Sequence, residues 1–144
     1  MYFLFIFSSI LLILIFLFLS AIHVYWGFGG RWGSSAVFPT KDDSVKPVMP
    51  GPIPTFTVAL GLFVFGLIVF LNLIDLDLPP WLDILRKYGI WAIIVIFLVR
   101  AIGDFRFVGF FKKYRNTKFG KNDTKYYSPL CLLIGILGII IIVI

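Results

Sequence analysis

Four apolar runs divide this chain, and their lengths constrain its fold more than any other feature. From Phe3 to Trp26 only Ser8, Ser9, Ser20 and His23 interrupt the first run. Its 24 residues make about 36 Å of helix, enough for a hydrocarbon core of about 30 Å. Thr55 to Ile74 is a second run of twenty, with Pro54 suited to its first turn and Asn72, Asp75 and Asp77 at its far end. Tyr126 to Ile144 is a run of nineteen, with Ser128 placed to cap a helix and Pro129 at its first turn. The third run is the short one. Sixteen residues separate Lys87 from Asp104, about 24 Å of helix, and Arg100 is among them. It crosses a bilayer if it extends back through Ile84 and Leu85, if Arg100 and Asp104 enter the membrane edge, or if the bilayer thins. Spans are therefore expected at about 3–26, 54–74, 84–104 and 126–144, in one integral membrane domain over residues 1–144. Leu19-Ser20-Ala21 offers small residues for cleavage, but no Lys or Arg precedes the first run and it exceeds a usual signal h-region, so a retained span is expected.

Composition agrees: 60% hydrophobic and 14% charged residues are not soluble-globular values. Seven of the thirteen Lys and Arg residues fall between Asp104 and Ser128, namely Arg106, Lys112, Lys113, Arg115, Lys118, Lys121 and Lys125. The net charge of +6 thus sits mainly in one loop, 105–125, between apolar runs. No basic soluble domain exists to bind nucleic acid. The first connector is also non-helical in expectation: Gly27, Gly29, Gly30 and Gly33 are followed by a polar stretch and by Pro47, Pro50, Pro52 and Pro54. With four spans, loops one and three share a side and carry ten Lys and Arg, against Arg86 and Lys87 opposite. The expected fold is an all-α four-transmembrane-helix bundle with loops one and three cytosolic and both termini outside.

That orientation places His23 and Trp26, Arg100 and Asp104, and Asp123 and Tyr127 at the cytosolic ends of their helices. The second and fourth helices also start there, with free amides and positive dipole ends. His23, Trp26, Arg100, Asp104, Asp123 and Tyr127 form the candidate ligand-binding set, for a small anion or a lipid head group. Each has a plainer role as well: an Arg100–Asp104 salt bridge, Asp123 pairing with Lys121 or Lys125 in water, a structural His23, and Trp26, Trp32, Tyr126 and Tyr127 as interface anchors. The basic loop is a solvated positive-inside loop first and a binder of anionic lipid second. The alternative function is enzymatic, with His23 and either Asp104 or Asp123 as an acid/base pair on a lipid-soluble substrate. A third is a structural accessory subunit, with Gly61, Gly66, Gly135 and Gly138 as close-packing points. No phosphate loop, zinc-protease or serine-hydrolase motif occurs, and the chain contains no glutamate. The single cysteine, Cys131, has no partner for a disulfide. No metal or cofactor is expected. Expected partners are membrane lipids, a second copy or another membrane protein.

Three blocks, Ala-Ile-His-Val-Tyr-Trp-Gly-Phe-Gly-Gly-Arg-Trp-Gly (21–33), Arg-Ala-Ile-Gly-Asp-Phe-Arg-Phe-Val-Gly (100–109) and Phe-Gly-Lys-Asn-Asp-Thr-Lys-Tyr-Tyr-Ser-Pro-Leu (119–130), resemble a family of small bacterial four-span membrane proteins classed as a domain of unknown function. The resemblance rests on His23, Trp26, Gly29, Gly30, Arg100, Gly103, Asp104, Phe119, Asp123, Ser128 and Pro129. It implies the bacterial cytoplasmic membrane and no assigned activity.

Overall fold

A computed structural model describes residues 1–74 and 76–144, and these residues are helical or irregular, with no strand. Asp75, expected at the far end of the second span, lies outside the described residues. The helices are α1 (Tyr2–Gly27), α2 (Ser34–Val37), α3 (Pro52–Leu73), α4 (Pro80–Ile102), α5 (Lys118–Asn122) and α6 (Ser128–Val143). A single π-helical turn, Asp123–Tyr127, joins α5 to α6. Residues 2–27, 52–73 and 118–143 are helices long and apolar enough to cross a membrane. The molecule therefore has the make-up of a membrane protein.

The third and the last long helices differ most from the sequence expectation. The third long helix starts at Pro80 rather than near residue 84, because Pro80 fits a first turn and the stretch from Trp81 to Tyr88 continues the helix without a break. Its 23 residues give about 35 Å, but the added turns carry Asp83, Arg86 and Lys87, and among the described residues α4 is not one of the helices apolar enough to cross a membrane. The helix stops at Ile102, so Asp104 lies in the following loop. The last helical stretch starts at Lys118 rather than 126, eight residues inside what was expected to be basic loop. Thr117 is its cap, accepting the Gly120 amide at 2.9 Å. Ser128 therefore caps nothing. Pro129 sits inside a continuous helix, where its ring opposes the carbonyl four residues back. The π turn falls immediately before it and gives the backbone the extra room. The first connector also contains the single helical turn of α2.

The long helices pack pairwise, α1 along α3 and α4 along α6, with smaller contacts between α1 and α6 and between α3 and α4. Leu12, Phe16, Val69, Ile93 and Ile134 are sealed between them. Rings of Phe16, Phe65 and Phe97, from three helices, meet with centroids 5.6–6.2 Å apart. Ser20 ties α1 to α3 by donating to the Ala59 carbonyl at 2.8 Å. Small residues let α6 approach α4: a methyl at Gly135 would lie 2.5 Å from Leu98, and one at Gly138 2.7 Å from Ile94. A methyl at Gly66 would meet Phe16 at 3.4 Å, whereas Gly61 has nothing within 4 Å and is not a packing point. Large apolar side chains also cover the outside, among them Phe7, Leu14, Leu60, Phe63 and Val95. Helices that are apolar all round suit a lipid surrounding.

At one end loop one touches the start of the last helical stretch. The Lys118 amide donates to Asp43 Oδ1 at 2.8 Å, and the Tyr127 hydroxyl donates to the Ala36 carbonyl at 3.0 Å. The functional candidates lie beneath this contact.

Candidate functional site

Asp123 is the centre of this end of the molecule. Its carboxylate has no exposed surface and accepts four hydrogen bonds from three parts of the chain. Oδ1 takes Arg100 Nη2 of α4 at 3.0 Å. Oδ2 takes the Gly109 amide at 2.8 Å, Lys112 Nζ at 2.9 Å and Ser128 Oγ at 3.0 Å. The π turn produces the last of these. Its five-residue spacing brings the Ser128 amide to the Asp123 carbonyl, and places the Ser128 hydroxyl beside the carboxylate of the same residue.

The loop from 103 to 117 is folded back so that Gly109 and Lys112 reach this carboxylate. Phe110 donates its amide to the Ala101 carbonyl at 2.9 Å. The turn closes because Gly103 (φ +95°) and Gly109 (φ +89°) stand against each other's backbone. A methyl at Gly109 would sit 2.3 Å from the Ile102 oxygen, and one at Gly103 1.8 Å from the Val108 oxygen. Asp104 holds the intervening residues, accepting the amides of Arg106, Phe107 and Val108 at 2.8–3.0 Å. Burial pushes the Asp104 carboxyl up, but these three amides outweigh it and hold the group below the usual carboxylate range.

Lys112 is fully buried, and all three of its N–H donors are used: on the Gly109 carbonyl at 2.9 Å, Asp123 Oδ2 at 2.9 Å and Thr124 Oγ1 at 2.6 Å. Two cations thus face one carboxylate, an excess of one positive charge. Arg100 carries the unspent part. Its Nη1 is buried and has no hydrogen-bond partner, while the side chain as a whole is 33% exposed.

The other candidates lie apart from this cluster. Asp104 does not pair with Arg100, and Asp123 does not pair with Lys121 or Lys125 in water. The helix ends between Arg100 and Asp104, so the four-residue spacing that would align them on one face does not apply. His23 donates from Nδ1 to the Leu19 carbonyl of its own helix at 2.7 Å and meets the Trp26 ring edge-on at 5.1 Å. Trp26 Nε1 donates to the Trp32 carbonyl at 2.9 Å. Among the described residues, no hydrogen bond joins His23 to Asp104 or Asp123. Tyr127 is spent on Ala36. Of the free helix amides expected at this end, two that open the last helix are taken by Asp43 and Thr117, whereas Gly51, at the N-cap of α3, supplies no side-chain cap.

Sequence reasoning did not single out Gly109, Lys112 or Thr124. The resemblance marked Ser128, but its expected role was a cap. Nothing distinguishes Lys112 from the six other basic residues of its loop before folding. A spacing of five from Asp123 to Ser128 next to a proline is the one signal that could have exposed the Ser128 contact.

Residues 16–138 match the family described as proteins of unknown function (DUF3995), which takes in all three sequence blocks. No curated protein and no solved structure matches the chain.

Proposed function

The chain belongs to the DUF3995 family of proteins of unknown function, and we propose that it is a multi-pass protein of the bacterial cytoplasmic membrane that binds a small anion or an anionic lipid head group at Arg100. In this reading α4 is the third span in chain order and completes a four-helix bundle. Contact between loop one and the start of the last helix supports it: α3 leaves loop one for the far end, and α4 returning along the same length delivers the last helix beside it. The ten-to-two division of Lys and Arg supports cytosolic loops and outer termini.

One observation carries the ligand reading: Arg100 Nη1 is buried without an acceptor, in a cluster with two cations on one carboxylate. Of the three charged members, Asp123 and Lys112 are sealed, and the Arg100 side chain is partly exposed although Nη1 itself is buried, so a ligand would approach along Arg100. An oxyanion would satisfy the spare donor and balance the charge. Exposed Phe105 and Phe111 and the basic Arg106 and Lys113 on the same loop suit a surface laid against head groups.

Native mass spectrometry of protein extracted with minimal delipidation tests this. Wild type is expected to carry a defined phospholipid or small anion. Arg100→Lys, which keeps a cation for Asp123 but removes the second guanidinium nitrogen, is expected to lose it. Identical bound species in both proteins would contradict the proposal and leave Arg100 a structural charge.

A further inference from the structure

A second polar cleft lies between loop one and the start of the last helix, separate from Asp123. Ser35, Thr40, Asp43, Val45, Pro47, Lys118 and Phe119 line a half-open surface groove of about 280 Å³. That is at the lower edge of the range for small-molecule sites, about 300–1,000 Å³, so a ligand here is small. Asp43 and Lys118 line the same cleft, yet the ion pairs among the described residues are Arg86–Asp83, Arg100–Asp123 and Lys112–Asp123. An acid and a base face one space without neutralising each other.

Their remaining valences are open. Asp43 Oδ1 accepts the Lys118 amide, which fixes the side chain and leaves Oδ2 for a ligand. Asp42 holds the turn that presents it, accepting the Ser44 amide at 2.9 Å and the Ser44 hydroxyl. Lys118 Nζ donates to Ser35 Oγ at 3.3 Å, so two of its three N–H donors stay free. Ser35 accepts there and keeps its own proton to donate. Phe119 is 4% exposed and, with Val45 and Pro47, supplies the apolar part of the lining.

We infer that this cleft binds a phosphoethanolamine zwitterion, with the primary ammonium on Asp43, the phosphate on Lys118, Ser35 and Thr40, and the two-carbon bridge against Phe119. The ligand is net neutral as a phosphodiester and matches an acid and a base held apart. Lys118 is the first residue of a helix whose apolar run begins at Tyr126, about 12 Å further along, so in the proposed membrane placement the cleft lies on the polar side of the head groups. The same chemistry comes from two sources, a lipid head group or the soluble phosphomonoester. The lipid source rests on the membrane placement proposed above; the soluble one does not.

The test uses the full chain in detergent and in nanodiscs, with Asp43→Asn and Lys118→Gln. Both variants keep the hydrogen bond from the backbone N–H of residue 118 to the side-chain oxygen of residue 43, and each removes one charge. Calorimetry in detergent compares phosphoethanolamine, phosphocholine, inorganic phosphate and glycine. Native mass spectrometry from nanodiscs compares phosphatidylethanolamine with phosphatidylcholine of matched chains. Phosphoethanolamine in either form is expected to bind at least tenfold tighter than its choline counterpart, whose quaternary nitrogen has no N–H for Asp43. Each variant is expected to lose tenfold or more. Binding in nanodiscs alone assigns a lipid source, and binding of the phosphomonoester alone a soluble one. Absence of preference over choline in both formats, equal binding of glycine or phosphate, or wild-type binding by both variants would overturn the inference. Neither substitution touches Arg100, so this outcome leaves the Arg100 site to its own test.

Discussion

At the scale of single residues, the consequences centre on Asp123. Replacing it with Asn leaves Lys112 buried opposite a neutral amide, and breaking a buried ion pair in this way costs about 3–5 kcal/mol. Asp123→Asn is therefore expected to lower unfolding free energy in detergent by that order, measured by chemical or thermal denaturation. Gly109→Ala is expected to destabilise by more than about 1 kcal/mol, since φ is +89° and its methyl would strike the Ile102 oxygen. Asp104 gives a pH effect of known sign. Its folded pKa is lowered, so its hold on the Arg106, Phe107 and Val108 amides is complete above the ordinary carboxylate value, about 3.9, and fades as pH falls through the lowered one. Protection factors of those three amides should fall there in wild type and be low at every pH in Asp104→Ala. The sequence marked Arg100 and Asp123 but not their pairing. Helical spacing favoured Asp104, four residues away, and only the end of α4 at Ile102 frees Arg100 for a partner 23 residues on.

At the scale of elements, the apolar runs were legible because length and hydropathy alone determine them. Helix ends were less so. Pro129 marks a first turn in most settings, yet here the chain absorbs it in a π turn, and no local pattern separates those outcomes. Glycines in apolar helices were legible as a class but not one by one, since contact depends on which face turns inward. Gly138→Leu is expected to push α6 from α4 and cost about 1–3 kcal/mol, while Gly61→Leu, in open space, should be near neutral. Paired denaturation curves of the two variants check this contrast.

For the whole molecule, charge asymmetry in the sequence motivates the proposed sidedness, and the structure adds that loop one meets the start of the last helix at one end. What was not legible is that loop three folds inward on a buried lysine rather than standing in solvent. That depends on four donors meeting one carboxylate across three segments. The topology from which the cytosolic site follows is tested most directly by impermeant thiol labelling in a Cys131→Ser background, with single Lys41→Cys, Leu76→Cys and Lys113→Cys variants in sealed vesicles of known orientation. Labelling of positions 41 and 113 from the cytosolic side alone, and of position 76 from the outer side alone, is the expected result. Labelling of positions 76 and 113 from the same side would show that α4 does not cross, and would contradict the four-span arrangement.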